Sequence, residues 1–345
     1  MLWLAGLLAC KMTPPPEDPT GTDGTADDPV QVVDSATGDT AGPTSATPTA
    51  ATGSTAATGG SGTTGDTGEP FDCDDVLPAV GGVTSTGYVT EEDFDFDPRG
   101  FMVSQRNQNI EGLDRYGATF IYAVQVGADA AGLRVLSSGD LAVAQPDTGG
   151  LVLVNAKTGG STTVLSGMTF PNALAADSRG YTFVTENWNN GAVRQVDVYT
   201  GDQWPVIGNL SYPNGVALSP DEETLYVAET NGGNIYAVDR ISDTEWGTPR
   251  LFYTMPNGSF YTLAVDVCGN LYTVDFSDGR LFRILADGSD AELLLYVDPS
   301  LSWGSFSSIR FGNGTGGWDR DKLYVTRRAE LYQIHIGVEG RAPVY

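Results

Sequence analysis

The sequence predicts an all-β chain, a six-bladed β-propeller of four-stranded antiparallel blades carried on a disordered N-terminal tether. Three observations predict it. From about Phe71 onward, short stretches of alternating apolar residues follow one another, the mark of half-buried strands. Turns bearing Gly, Asp or Asn punctuate them, and the unit so formed returns every ~40–50 residues, the spacing of a propeller blade. Ahead of it, a tract such as "TSATPTAATGSTAATGGSGTTGDTG" has too little apolar content to offset the entropy of ordering.

Taken in order, residues 1–10 read as a lipoprotein signal peptide. "MLWLAGLLACK" sets an apolar run directly before Cys10, and "LLAC" resembles the bacterial lipoprotein box, which implies cleavage before Cys10 and its lipidation. Residues 11–70 are the tether, rich in Thr, Gly, Ala, Ser, Pro and Asp. Residues 71–345 are the propeller domain. No other stretch approaches the ~18 apolar residues of a spanning helix. An exported monomer is expected, attached to the cell envelope only through its lipid. In that oxidising compartment the two remaining cysteines, Cys73 and Cys268, are expected to pair in a disulfide.

The clearest repeats are "PNALAADSRGYTFVTENWNNGAVRQVDVYTG" from Pro171 and "PNGVALSPDEETLYVAETNGGNIYAVDR" from Pro213. Further copies start at Leu133 and Leu263, and weaker ones at Glu92 and near Ser308. Six copies give six blades. The last has room for only three strands, and a strand from about Gly81 to Val89 supplies the fourth. That closure joins the two ends of the domain and removes an open sheet edge.

Composition narrows the function. With 18 basic and 44 acidic side chains the formal charge is −26, which sets nucleic acid and anionic membrane surfaces aside as direct partners. The single histidine, His335, puts a His-based triad or a His-rich zinc site out of reach.

In a propeller every innermost strand runs the same way along the central channel, so its opening residue falls at one mouth in every blade. Aligned on their turns, the copies give a ring of Glu92, Ala131, Asn172, Asn214, Tyr261 and Ser307. A second ring, at the ends of the second strands, holds Arg106, Gln145, Glu186, Glu229, Asp275 and Arg327. Singly, "PN" before a strand is ordinary turn chemistry. A carboxylate and two carboxamides converging on one axis are hard oxygen donors for a divalent cation, Ca²⁺ first, with Mg²⁺ or Zn²⁺ as alternatives.

The unit "PNGVALSPDEETLYVAE" resembles that of the senescence-marker-protein (regucalcin), gluconolactonase and luciferin-regenerating group, which are six-bladed propellers. The resemblance spans about Gly81 to Tyr345 and is most specific between Pro171 and Ser277. It implies a divalent metal held by a Glu, two Asn and an Asp, the Asp doubling as general base in lactone hydrolysis. Position by position it makes Glu92, Asn172 and Asn214 the metal ligands, with Glu91 replacing Glu92 if the first repeat slips by one residue. The fourth position departs, because Tyr261 stands where the family has Asp. A phenol of pKa about 10 is protonated at neutral pH and a poor base. Asp266, five residues on, lies ~16 Å away at ~3.3 Å per residue and cannot substitute.

The catalytic residue is therefore open. Glu186, Glu229 and Asp275 are the candidates for a replacement base, or else solvated strand ends. Tyr261, Asn187, Trp188, Arg106 and Arg327 are the expected ligand-binding side chains. Trp188 and Trp303 either edge the pocket or pack between blades. Two functions of different class follow. One is a binding module for a small molecule or an envelope protein; the other is a metal-dependent hydrolase of lactones or related esters.

Overall fold

The computed structural model describes residues 72–345 apart from 75–76, 124–125, 128, 301–305 and 328–329. Cys10, the tether over 11–70 and Trp303 lie outside the described residues. The described strands form six four-stranded antiparallel sheets, the blades of a β-propeller. Blades 1 to 5 open with the innermost strands Phe94–Phe96, Gly132–Val135, Pro171–Ala176, Pro213–Leu218 and Ala264–Val265. In each, the next three strands follow outward in sequence order.

Blade 6 is composite. Phe306–Phe311, Lys322–Arg327 and Glu330–His335 come from the end of the chain, and Val83–Val89 adds to Glu330–His335 from outside. Val83 lies opposite Ile334 and Val89 opposite Glu330, so the expected closing strand is present. His335 is exposed in this blade, its Nε2 3.6 Å from Asp321.

Residue pattern explains the layering. Strands near the axis, such as "LAVAQ" at Leu141–Gln145, are buried throughout, whereas the outermost "STTVL" at Ser161–Leu165 is mostly exposed. Apolar side chains from facing sheets meet between blades, as where Phe183 and Val193 of blade 3 pack with Val216 and Val227 of blade 4. At the lower end of the channel, "D-x-x-G" turns join first and second strands. The Asp177 carboxylate accepts the Tyr181 N–H at 2.8 Å, and that of Asp266 accepts the Cys268 and Asn270 N–H groups at 2.9 Å. Gly180 and Gly269 hold φ of 94° and 86°, a left-handed conformation that favours glycine. Blade 4 places Glu222 there at φ 63°. Its carboxylate accepts the Ser178 N–H at 3.0 Å and pairs with Arg341, contacts that offset the backbone cost.

The segment from Arg341 to Tyr345 crosses the lower end of the channel. The Arg341 N–H donates to the Val265 carbonyl at 2.8 Å, and the Tyr345 hydroxyl to that of Phe96 at 2.6 Å. Above it is a cavity of about 140 Å³. Cys73 and Cys268 are joined in a disulfide with Cα atoms 5.4 Å apart, binding the segment before Val83–Val89 to blade 5. Reducing this bond should lower stability by about 2–4 kcal/mol. The measurement is a guanidinium midpoint with and without reductant, and an unmoved midpoint would count against a stabilising role.

Candidate functional site at the channel mouth

Four innermost strands share an irregularity. In blades 3, 4 and 6 the register slips just after the first pair, as from Pro171↔Glu186 to Leu174↔Val184. Blade 5 slips in the same way between Phe260↔Asp275 and Ala264↔Tyr272. Such bulges re-aim a side chain. The residues they carry are Asn172, Asn214, Tyr261 and Ser307, which together with Ala131 line one opening on the axis. Its volume is about 10 Å³, room for roughly one water-sized group.

Glu92, the sixth ring residue, joins through a hydrogen bond. The Tyr261 hydroxyl donates to Glu92 Oε1 at 2.9 Å, linking blade 5 to blade 1. Stacking on Phe276, with centroids 4.4 Å apart and planes 10° from parallel, fixes the phenol ring. Glu91 instead accepts the Asn107 N–H at 2.9 Å, so it belongs to a hairpin. Burial pushes the Glu92 carboxyl up to about 7; the Tyr261 hydrogen bond lowers it in part, and the nearby Asp93 charge raises it.

Below the ring lies a charge cluster that the strand pattern had not suggested. Asp93 accepts Arg134 Nη1 at 2.9 Å, Arg310 Nη2 at 3.2 Å and the Leu133 N–H at 3.0 Å, together with the Ser308 hydroxyl. Blades 1, 2 and 6 thereby meet near the axis. Burial raises the neighbouring Asp95 to about 6 even with Arg310 beside it. The signal was present: "LRVL" and "SIRF" each put an arginine three residues past a ring position, in innermost strands that elsewhere carry Ala175, Ala217 and Ala264 there.

The second ring does something else. Glu186 accepts the Thr169 N–H at 2.9 Å and pairs with Arg194 at 2.8 Å. Glu229 accepts the Ser211 N–H at 2.7 Å and Asn234 Nδ2 at 2.9 Å. Asp275 accepts the Ser277 N–H at 2.9 Å and pairs with Arg280 at 2.9 Å. All three are buried, none lines the mouth, and they brace loops beside the innermost strands. They are thus not the solvated strand ends that the sequence offered as one reading. Arg327 pairs with Asp298 at 2.8 Å, and Arg106 is exposed at its strand end; neither lines the mouth. Asn187 is buried with both amide atoms unpartnered, as are the amide nitrogens of Asn172 and Asn214 and the Thr230 hydroxyl.

The residues present do not fit the metal centre that the resemblance implies. Glu92, Asn172 and Asn214 offer one carboxylate and two amides, Glu92 already accepts the Tyr261 proton, and the next acid, Asp93, is neutralised by two guanidiniums. Ca²⁺ sites draw affinity from the number of charged ligands, and a single carboxylate supplies little.

These features define a six-bladed β-propeller with its axial mouth narrowed by a tyrosine–glutamate bond. Residues 185–328 match the SMP-30/gluconolactonase/LRE-like region, so the chain is similar to that family over this segment. A gluconolactonase from Xanthomonas campestris is 18% identical with a TM-score of 0.59, over 74% of this chain and 89% of that one. A calcium-binding regucalcin from Agrobacterium tumefaciens is 18% identical with a TM-score of 0.57, over 75% and 92%. A luciferin-regenerating enzyme is 17% identical with a TM-score of 0.60, over 76% and 98%. At such identities the likeness is one of fold. No curated protein matches the sequence.

The Glu92 carboxyl is raised above its ordinary value of 4.5, so between about pH 4.5 and 7 the native state holds a proton that the unfolded chain has released. Its contribution to stability is full below that window and is lost as pH rises through about 7. Carboxyl ¹³C NMR should show a glutamate titrating near 7, and Tyr261→Phe should move it higher. A Glu92 resonance titrating near 4.5 in the wild type would contradict this site.

Proposed function

We propose that this chain is a binding propeller on the gluconolactonase-like scaffold, presenting the rim of its mouth to a small-molecule ligand, and that it does not hydrolyse lactones. The observation that carries the reading is the Tyr261–Glu92 hydrogen bond beside an opening of about 10 Å³. A ligand-enclosing site usually offers ~300 Å³ or more. The phenol occupies the place where the resemblance expects the acid that activates water, and as the donor to Glu92 it offers neither a charge to a cation nor a base to water. An envelope protein is the alternative partner for the same rim.

The setting is part of the proposal. "LLAC", ending at Cys10, and the polar tract after it support an exported, lipid-anchored protein of the bacterial envelope. Cys10→Ser should move the full chain from the membrane to the soluble fraction; a variant still in the membrane would remove the anchor from this reading.

Calorimetry should find no Ca²⁺ binding tighter than ~1 mM, chelator should leave the melting temperature unchanged, and a panel of aldonolactones should not turn over. Tyr261→Asp places a second carboxylate near Glu92, and its Ca²⁺ affinity should rise at least about tenfold. Wild-type lactone turnover abolished by Asn214→Ala would establish the hydrolase instead.

A further inference from the structure

Between the rims of blades 3 and 4 the structure holds three aromatic side chains with no part in the mouth's hydrogen bonds. Trp188 is 52% exposed. Its backbone is fixed, since its carbonyl accepts the N–H groups of Gly191 and Tyr212, both at 3.0 Å, and its own N–H donates to the Glu186 carbonyl. Phe170 and Tyr212 flank the indole, with ring centroids 6.5 and 6.2 Å away and planes tilted by 41° and 47°. The Nε1–H groups of Trp246 and Trp318 donate to Gln195 and to the Gly100 carbonyl, whereas that of Trp188 donates to no group among the described residues.

The flanking rings are held at a cost. Phe170 and Tyr212 have φ of 51° and 54°, left-handed values that are costly for bulky residues, and each precedes a proline. Two adjacent blades repeat the same strained aromatic–Pro–Asn opening, which sets an aromatic ring two residues before Asn172 and Asn214. Backbone strain kept in duplicate at a rim points to a function for the side chains it presents.

We propose that Trp188, Phe170 and Tyr212 form a shelf for a neutral saccharide ring, seated at the rim outside the narrow mouth. A pyranose has an apolar C–H face that packs on an indole and equatorial hydroxyls that accept from an N–H, the two things an exposed tryptophan with an unused donor supplies. Anionic sugars and phosphorylated ligands are disfavoured by a chain with a formal charge of −26. Cations are the competing occupant, since an aromatic face also attracts them. The inference rests on the rim being a binding surface, and it names the ligand class.

The test is calorimetry of the purified full chain against maltose, cellobiose and N,N′-diacetylchitobiose, with choline as the cationic probe. Saturable binding of at least one disaccharide is expected, weakened tenfold or more in Trp188→Ala and by less in Trp188→Phe, which keeps an aromatic face but loses the N–H. Trp188 lies half in solvent, so a matching melting temperature will confirm that the Ala variant is folded. Disaccharide binding unchanged by Trp188→Ala, binding of choline alone, or no binding of any probe would overturn the shelf. The first of these leaves a ligand-binding propeller standing, so the two readings fail separately.

Discussion

Everything in this molecule depends on the closing of the ring. The ring closes by completing blade 6 from both ends of the described chain, Val83–Val89 pairing with Glu330–His335. Once the ring is closed, all innermost strands point the same way and their side chains stack in layers along one channel. The layers do different things. The uppermost gathers Asn172, Asn214, Tyr261 and Ser307, and the next carries Asp95, Arg134 and Arg310 opposite three alanines.

The charge cluster below the mouth shapes what the mouth can hold. Asp93 draws in guanidiniums from two neighbouring blades, and this consumes a carboxylate that a cation would otherwise use. Buried ion pairs of this sort are costly to break because one partner is then left uncompensated. Tyr261 acts in the same direction from the other side by donating to Glu92. A position that carries a carboxylate in the resembling family thus becomes a neutral hydrogen-bond donor, with consequences for charge, proton affinity and free volume together.

The fold was largely legible in the sequence because a propeller is written as repetition: strands, turns and the closing segment all recur or fall out of the count. The mouth ring was legible for the same reason. Although bulges shift the register, they recur in four blades, so aligned positions stay aligned. What the repeats concealed were interactions between blades. The repeats assigned no role to Arg134 or Arg310, and only the ring brings both onto Asp93. Glu186 and Glu229 read as solvated or catalytic acids, yet each binds a backbone N–H some seventeen residues away. Hydrogen bonds of that kind leave no periodic trace.

The disulfide also determines where tension enters the domain. Val83–Val89 is the outer strand of its blade, held to the rest by one line of hydrogen bonds, and a pull from the N-terminal side would peel it away bond by bond. Cys73 precedes that strand and is bonded to Cys268 in blade 5. A force arriving along the chain therefore passes through a covalent link into blade 5 before it reaches the closing strand. The ring is thereby shielded at the seam where its two ends meet.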